Sequence, residues 1–365
     1  TITPETPDTV TEDQIIEEDS LNSNNVETNE KIMTLPDFWE KADKDEILFL
    51  FDNMLPVYSE VLNDAIIEYL TLNSSPPQSF TENEFNHIRI VNLIKLGQRK
   101  KAFDMINISY DNLDHLDFYN FFKLNYYFST YELSQACDFS NSIDRKKSTT
   151  DNNFLLKVDI FCAFISNKID EADLLNSLLE DLNDQDEYFQ KIFLNLKNSE
   201  KNNIDINFLN YDENTMPLYS AMIRVGDMPL NHKFLEYDSS NLSMPIILSH
   251  SSDISLRLQA AHKAYQQGIF SAESLSALYQ TVDFSYDELS NKEDIQSKSK
   301  IGIEIEMAYF FQKANIQLLP ITRVQILVDF WDFAEKQNLS LLAYDISRNL
   351  LKSIEPSSEL SEYSI

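Results

Sequence analysis

Residues 253–279, DISLRLQAAHKAYQQGIFSAESLSALY, decide the fold of this chain. In the first half, apolar and small residues recur at the three- and four-residue spacing that places them on one face of an α-helix. Gly268 can adopt the left-handed backbone conformation that ends a helix, and Ser271 is suited to cap the next one. The stretch therefore predicts two helices joined by a one-glycine turn. Such a hairpin cannot bury its apolar faces alone, so it requires neighbouring hairpins.

The composition excludes several fold classes. With 365 residues and 43% apolar content, the chain can build a substantial core in one large or two ordinary domains. Its four glycines and eleven prolines argue against sandwiches, barrels and Rossmann folds, which need glycine-rich turns or phosphate loops. Helices joined by short polar turns need few of either residue. We therefore predict an all-α fold.

A repeated layout extends the hairpin pattern towards the N-terminus. Between residues 81 and 182 the periodicity predicts three helix pairs, each with a small residue early in its second helix, at Ala102, Ala136 and Ala172. The spacings of 34 and 36 residues are close to the unit of tetratricopeptide (TPR) repeats, which is about 34 residues. The layout resembles TPR-like hairpins, although the full TPR consensus is absent. We predict an α-solenoid of antiparallel helical hairpins.

The chain divides into five predicted regions. The first holds nine acidic residues and one lysine, and such a composition buries too little apolar surface to offset chain entropy. Pro229 and Pro245 disfavour a long helix in the middle of the chain. In chain order, the regions are a disordered acidic tail (1–34), an N-terminal hairpin array (35–197), an irregular connecting region with one short helix (198–252), a C-terminal hairpin array (253–354) and a flexible tail (355–365).

The charge balance restricts the choice of partners. The chain has 60 acidic and 29 basic side chains, a formal net charge of −31. Phosphate backbones and anionic lipid surfaces would repel it, so we expect no nucleic acid partner and favour a basic protein. Solubility alone is the other interpretation of this charge. No apolar run approaches the roughly 18 residues of a transmembrane helix, so no membrane span is expected.

The sequence contains no pattern typical of a catalytic, metal or cofactor site. No two of the five histidines have helical ligand spacing, and neither a Cys-x-x-Cys pair nor a phosphate-binding glycine loop is present. His262 is interpreted as a packed histidine beside small residues. Cys137 and Cys162 lie in apolar helical surroundings and are interpreted as buried free thiols; a disulfide between neighbouring hairpins stays open. We predict no cofactor.

Two basic runs and one aromatic helix are the candidate partner-binding residues. If the hairpins stack, both runs lie on the same edge and can accept an acidic partner or the N-terminal tail. The helix at residues 116–128 is apolar nearly all round, which is typical of a central helix; a groove for a partner peptide is the alternative. The candidate residues are Arg99, Lys100, Lys101, Arg145, Lys146, Lys147, Tyr126 and Tyr127.

The C-terminal half resembles a known family. The run LRLQAAHKAYQQGIFSAESLSALYQTVDFSYDEL (256–289), the two helical segments after it and the terminal IEPSSEL (354–360) are similar to a group of alphaproteobacterial proteins. Residues 188–191 and 216–222 are weaker matches. That family is uncharacterised and often carries the misleading label "antifreeze glycopeptide-related". The resemblance implies a helical protein with an N-terminal export or anchoring segment and no assigned activity.

These observations favour a non-enzymatic scaffold or adaptor of the bacterial cell envelope that binds a protein or peptide on a helical-repeat surface. The chain begins at Thr1, which fits the removal of an export signal and predicts the periplasm; the cytoplasm is the alternative compartment. Two other functions stay open. One is a superhelical domain or subunit of a cell-wall-acting hydrolase, and the other is an acidic mimic that blocks a nucleic-acid-binding protein.

Overall fold

The computed structural model describes residues 39, 42–55, 60–72, 75–108, 113–146, 152–290, 302–355 and 360. Across these ranges all regular secondary structure is helical, as predicted. The N-terminal half contains α1 (Lys44–Asp52), α2 (Glu60–Thr71), α3 (Glu82–Lys95), α4 (Arg99–Ile108), α5 (Leu116–Thr130), α6 (Leu133–Ser142), α7 (Asn152–Ile165), α8 (Ile169–Asp181) and α9 (Glu187–Asn198). The C-terminal half contains α10 (Met216–Val225), α11 (His232–Tyr237), α12 (Ser239–Leu248), α13 (Ile254–Gln266), α14 (Ala272–Gln280), α15 (Tyr286–Ser290), α16 (Ile303–Ile316), α17 (Pro320–Lys336) and α18 (Ser340–Lys352).

Some sequence predictions lie outside the described residues. These are the disordered acidic tail at residues 1–34, Lys147, and residues 356–359 and 361–365 of the flexible C-terminal tail.

The hairpin predicted at residues 253–279 is confirmed as α13 and α14. Gly268 has φ +69°, the left-handed conformation that the turn requires. The Ser271 hydroxyl caps α14 by accepting a hydrogen bond from the backbone N–H of Ser274 at 3.1 Å. Across the hairpin, His262 Nε2 lies 2.6 Å from the Tyr279 hydroxyl, and both side chains are buried. His262 is therefore a packed histidine, as predicted.

The three N-terminal helix pairs are α3–α4, α5–α6 and α7–α8, and within each pair the helices pack together. Ala102, Ala136 and Ala172 are completely buried. At such close-packed positions a larger side chain would force the paired helices apart. Gly97 ends the first pair's opening helix with φ +78°, and Asn167 occupies the same left-handed region in the third pair. The three small residues that the repeat spacing singled out are thus buried.

Residues 198–252 contain more helix than the one short helix predicted for the connecting region. They contain α10, α11 and α12, and α12 has its strongest packing against α13. Pro245 lies inside α12, where it removes one backbone hydrogen bond at a cost of about 3 kcal/mol. Leu242, Ile246 and Ile247 are buried on the same helix, and each contributes about 1.5–3 kcal/mol. The free energy gained by burying these side chains therefore exceeds the cost of the proline. The sequence prediction considered only the proline.

Helix α5 is the centre of the N-terminal half, as its all-round apolar pattern predicts. It packs against its neighbours α4 and α6 and also against α10 and α12, which come much later in the chain. Tyr119, Leu124 and Phe128 are completely buried, and so is nearly all of the polar Asn120. The chain therefore folds back so that α10 and α12 pack onto α5, in addition to the packing between helices that are neighbours in sequence.

The C-terminal helices pack around α16. This helix contacts α13, α14, α15, α17 and α18, and α14 also contacts α18. Buried Met307, Phe310 and Phe311 on α16 join the large core that extends back to α5. A smaller core beneath α1–α4 includes Trp39, Phe51 and Phe85, whose rings contact one another edge-on or stacked.

The interpretation of the two cysteines as free thiols is wrong. Cys137 on α6 and Cys162 on α7 form a disulfide, with a Cα–Cα distance of 5.6 Å. The two residues are separated by 25 positions, and only the packing of α6 against α7 brings them together. The alternative that the sequence left open, a disulfide between neighbouring hairpins, is the one observed.

Candidate partner-binding surfaces

The first basic run begins α4 and is only partly available to a partner. The Arg99 guanidinium forms an ion pair with Asp238, and its Nε donates to the Ser240 hydroxyl at 3.3 Å. Arg99 therefore joins α4 to the start of α12. Lys100 and Lys101 are exposed, with the Lys100 ammonium 4.0 Å from the Asp104 carboxylate.

The second basic run follows the end of α6. Arg145 donates to the Asp159 carboxylate at 2.8 Å and to the Ser140 hydroxyl at 3.0 Å. Burial raises the pKa of Asp159, and the nearby Arg145 charge only partly opposes this rise. Lys146 is exposed. The arginine of each run is thus held by an internal carboxylate, and the exposed lysines are the groups that can reach a partner.

The two basic runs are anchored to different helices. Arg99 pairs with Asp238 at the start of α12, and Arg145 pairs with Asp159 on α7. That both runs lie on the same edge of the array stays a prediction.

Tyr126 and Tyr127 belong to an aromatic cluster formed with Phe103 of α4 and Phe139 of α6. The rings of Phe103 and Tyr126 stack with centroids 4.2 Å apart, and the Lys123 ammonium lies over Phe139 at 4.5 Å. Burial, aided by nearby carboxylates, raises the pKa of Tyr126 to about 12. The four aromatic rings are half-buried, so their outer edges remain open to a ligand.

A buried ionic cluster at the junction of α7, α9 and α10 has no counterpart among the sequence predictions. The Lys157 ammonium lies 2.6 Å from Asp186 and 3.2 Å from Asp184, and all three side chains are almost fully buried. Asp186 also accepts hydrogen bonds from the Tyr219 hydroxyl and from the backbone N–H of Phe189. Burial, strengthened by the Asp186 charge, raises the pKa of Tyr219 far above its ordinary value.

This ionic cluster lies beneath an open surface depression of about 390 Å³. The depression is lined by Asp184, Gln185, Asp186, Glu187, Gln190, Lys191 and Leu209. Because the oxygens of Asp186 are already bonded to Lys157, Tyr219 and the backbone, the cluster fastens three helices together. The sequence carried no signal for it beyond a lysine on the apolar face of α7.

The structure also brings together two histidines that the spacing rule did not pair. His87 on α3 and His115 before α5 have parallel rings with centroids 3.5 Å apart, and His87 Nδ1 lies 3.3 Å from the Tyr119 hydroxyl. Burial and the adjacent His115 lower the pKa of His87 to about 4. Among the described residues, no group of three or more His, Cys, Asp or Glu side chains is placed to hold a metal ion.

The outer face of α8 carries a regular row of exposed leucines. Leu174, Leu178 and Leu182 recur every four residues and are 71%, 48% and 51% exposed. This spacing aligns them along one stripe, which neighbouring helices leave uncovered. Ala172 and Leu179, on the side of α8 that faces the core, are completely buried. We call the three leucines the α8 stripe.

Helix α9 carries a separate exposed leucine. Leu194 is 55% exposed and lies four residues after Gln190 and three before Lys197. Gln190 exchanges hydrogen bonds with Asn176 of α8, and Lys197 pairs with Asp173 of α8. Leu194 therefore lies on the side of α9 that faces α8. Asn176 and Asp173 lie on the side of α8 opposite the α8 stripe, so Leu194 is not part of the same surface.

None of the helices in the described ranges has the length and apolar content needed to cross a bilayer. Comparison with known proteins returned no matching family model, no matching curated protein and no matching solved structure.

Proposed function

We propose that this chain is a non-enzymatic scaffold or adaptor that binds a protein or peptide on its helical surface. The observation that carries the proposal is the α8 stripe, a row of large apolar side chains that are about half or more exposed. Contiguous exposed apolar side chains with a polar rim are typical of interaction sites. The half-buried aromatic cluster of Phe103, Tyr126, Tyr127 and Phe139 is a second candidate surface.

The scaffold is proposed to be an α-solenoid of TPR-like helical hairpins. Four helix pairs support this arrangement. In α3–α4, α5–α6, α7–α8 and α13–α14, the two helices pack together and are joined by a short turn. The buried alanines at the three N-terminal crossings support it as well. Superhelical arrays present extended surfaces to partners, which suits an adaptor. The packing of α5 against α10 and α12 closes part of this array.

The cell envelope is the proposed location, and the disulfide between Cys137 and Cys162 supports it. Disulfides persist in oxidising compartments such as the bacterial periplasm and are rare in the cytosol. The proposal also keeps the relationship to the uncharacterised alphaproteobacterial family, which rests on the run at residues 256–289. That run forms α13, α14 and α15, so the resemblance lies in one helical hairpin and the short helix that follows it.

A pull-down tests the proposed function. The full chain carries an affinity tag in the cells that produce it, and proteins from the envelope and cytosolic fractions are identified after purification. We expect a defined partner in the envelope fraction, retained after washing and absent from an untagged control. The scaffold proposal fails if no protein co-purifies, and degradation of cell-wall polymer or of small ester and amide substrates by the purified chain would support the hydrolase alternative.

A further inference from the structure

Acidic side chains surround the α8 stripe. The helix sequence IDEADLLNSLLED contains five acidic residues and no basic one. At 100° per residue, Asp170, Glu171 and Asp181 lie on the same outer arc as the three leucines, and all three are exposed. Lys168, just before the helix, pairs with Glu171 at 3.1 Å. The surface therefore combines an apolar row with a negative border.

We infer that this surface binds a basic amphipathic helix of a partner protein. The inference rests on the proposed function and specifies the chemistry of the partner. A helix that carries leucines or other large apolar residues at positions i, i+3, i+4 and i+7 can cover the α8 stripe. Lysines and arginines on the borders of such a helix would face Asp170, Glu171 and Asp181. Complementary charges of this kind accelerate association and select the partner.

Charge disfavours the other possible occupants. A second copy of the chain would place its own acidic α8 face opposite this one, and the net charge of −31 on each copy adds to the repulsion. The N-terminal segment, residues 1–34, has nine acidic residues and one lysine, so the same border repels it. Anionic lipid and nucleic acid are repelled for the same reason. A basic helix is the occupant that the charges attract.

Peptide binding to the purified full chain tests this inference. The probe is a fluorescent helix-forming peptide about 18 residues long, long enough to cover the α8 stripe, with leucines at i, i+3, i+4 and i+7 and lysines on its other face. The matched peptide has glutamate in place of every lysine. Fluorescence anisotropy should give saturable binding of the lysine peptide that weakens as salt rises, and no binding of the glutamate peptide.

Variants locate the binding surface. The double substitution Leu174→Gln and Leu178→Gln should lower the affinity for the lysine peptide by about 10- to 100-fold. In the unmodified chain, the bound peptide buries both leucines. The matched control is Leu318→Gln with Leu319→Gln, at exposed leucines outside the α8 surface, which should leave binding unchanged. All four leucines are exposed, so the variants should fold, and circular dichroism checks this.

A third variant tests the negative border. The substitutions Asp170→Asn, Glu171→Gln and Asp181→Asn should weaken lysine-peptide binding about tenfold at low salt and flatten its salt dependence. The inference is overturned if the glutamate peptide binds equally well, or if the α8 variants bind the lysine peptide as the unmodified chain does. It is also overturned if light scattering shows a dimer that the Leu174→Gln, Leu178→Gln variant converts to a monomer.

The outcomes separate this inference from the proposed function. If an envelope protein co-purifies equally with the unmodified chain and the leucine variant, the scaffold proposal stands and the α8 inference fails. If the lysine peptide binds at α8 but no protein co-purifies, the surface chemistry is upheld and the scaffold proposal fails. If neither binds, both fail.

Discussion

At the scale of single residues, Lys157 has the most demanding environment. Its ammonium is 2% exposed and is neutralised by two carboxylates, which are themselves almost fully buried. Removing charges from water costs several kcal/mol for each ion, and close pairing with added hydrogen bonds recovers that cost. The Tyr219 hydroxyl and the Phe189 backbone N–H supply those hydrogen bonds to Asp186. The cluster is therefore sensitive to the loss of any one member.

Lys157→Met should lower the free energy of unfolding by about 3–5 kcal/mol, because it leaves buried carboxylates without a cation. The matched control is Lys197→Met, which removes the partly exposed pair with Asp173 and should cost less than about 1 kcal/mol. Urea unfolding at pH 7 followed by circular dichroism measures both changes. A loss for Lys157→Met no larger than that of the control would contradict the coupling of Lys157 to the two aspartates.

His262 should make the stability of the fold depend on pH. Burial lowers its pKa to about 4, whereas the unfolded chain has the ordinary value near 6.5. Above pH 6.5 both states hold neutral histidine. As the pH falls from 6.5 to 4, the unfolded state binds the proton first, so the folded state loses stability, by about 3 kcal/mol over the whole window.

The measurement compares the unmodified chain with His262→Gln at pH 7.5 and pH 4.5. Glutamine can keep a hydrogen bond to the Tyr279 hydroxyl but does not titrate. Between these two pH values the unmodified chain should lose about 2 kcal/mol more unfolding free energy than the variant. Equal losses in the two proteins would show that His262 is not held neutral in the fold.

At the scale of helices, buried small residues and one disulfide hold the N-terminal helices together. Ala102, Ala136 and Ala172 allow each second helix to approach its partner, and the sequence spacing predicted all three. The link between α6 and α7 could not be predicted in the same way. Cys137 and Cys162 each fit an apolar helical face, and a thiol on such a face is as compatible with a free side chain as with a disulfide.

Replacing both cysteines by serine should lower the free energy of unfolding by about 3 kcal/mol, the chain-entropy value for closing a loop of this length. Denaturant unfolding with and without dithiothreitol measures the effect. Reductant should destabilise the unmodified chain by a similar amount and leave the double-serine variant unaffected. If reductant changes neither protein, the two thiols are not paired in solution.

At the scale of the whole molecule, the decisive feature is the return of the chain onto α5. Helices α10 and α12 pack on α5, and the Arg99–Asp238 ion pair ties the start of α4 to the start of α12. These contacts join residues that are far apart in sequence, so no helical periodicity could have predicted them. They also explain why Arg99, one of the predicted partner-binding residues, is held inside the molecule.

A double-mutant cycle on Arg99→Ala and Asp238→Ala should give a coupling energy of about 1–3 kcal/mol, because both side chains are largely buried and share one contact. The matched cycle on Lys201 and Asp227, an exposed pair, should give a much smaller coupling energy, because solvent screens their charges. Thermal and urea unfolding measure the four proteins of each cycle. Strictly additive effects at Arg99 and Asp238 would mean that this ion pair does not stabilise the return of the chain.

The candidate binding surface was predictable only in part. Tyr126 and Tyr127 do lie in an aromatic cluster, and Lys100, Lys101 and Lys146 are exposed. The α8 stripe was missed, because a leucine at helical spacing reads as core whether or not another helix covers it. Coverage depends on which helices come to lie beside α8, and that information is not present in the periodicity of α8 itself.

By itself, the sequence determined the class of the fold, the hairpin of α13 and α14, the glycine turns and the small residues at the helix crossings. These are local properties, because spacing, caps and backbone freedom act within a few residues. Only the tertiary structure decided the cysteine pair, the burial of Lys157 with its aspartates, the closure onto α5 and the exposed face of α8. Each of these depends on which distant surfaces meet, and similar apolar stripes can meet in many ways.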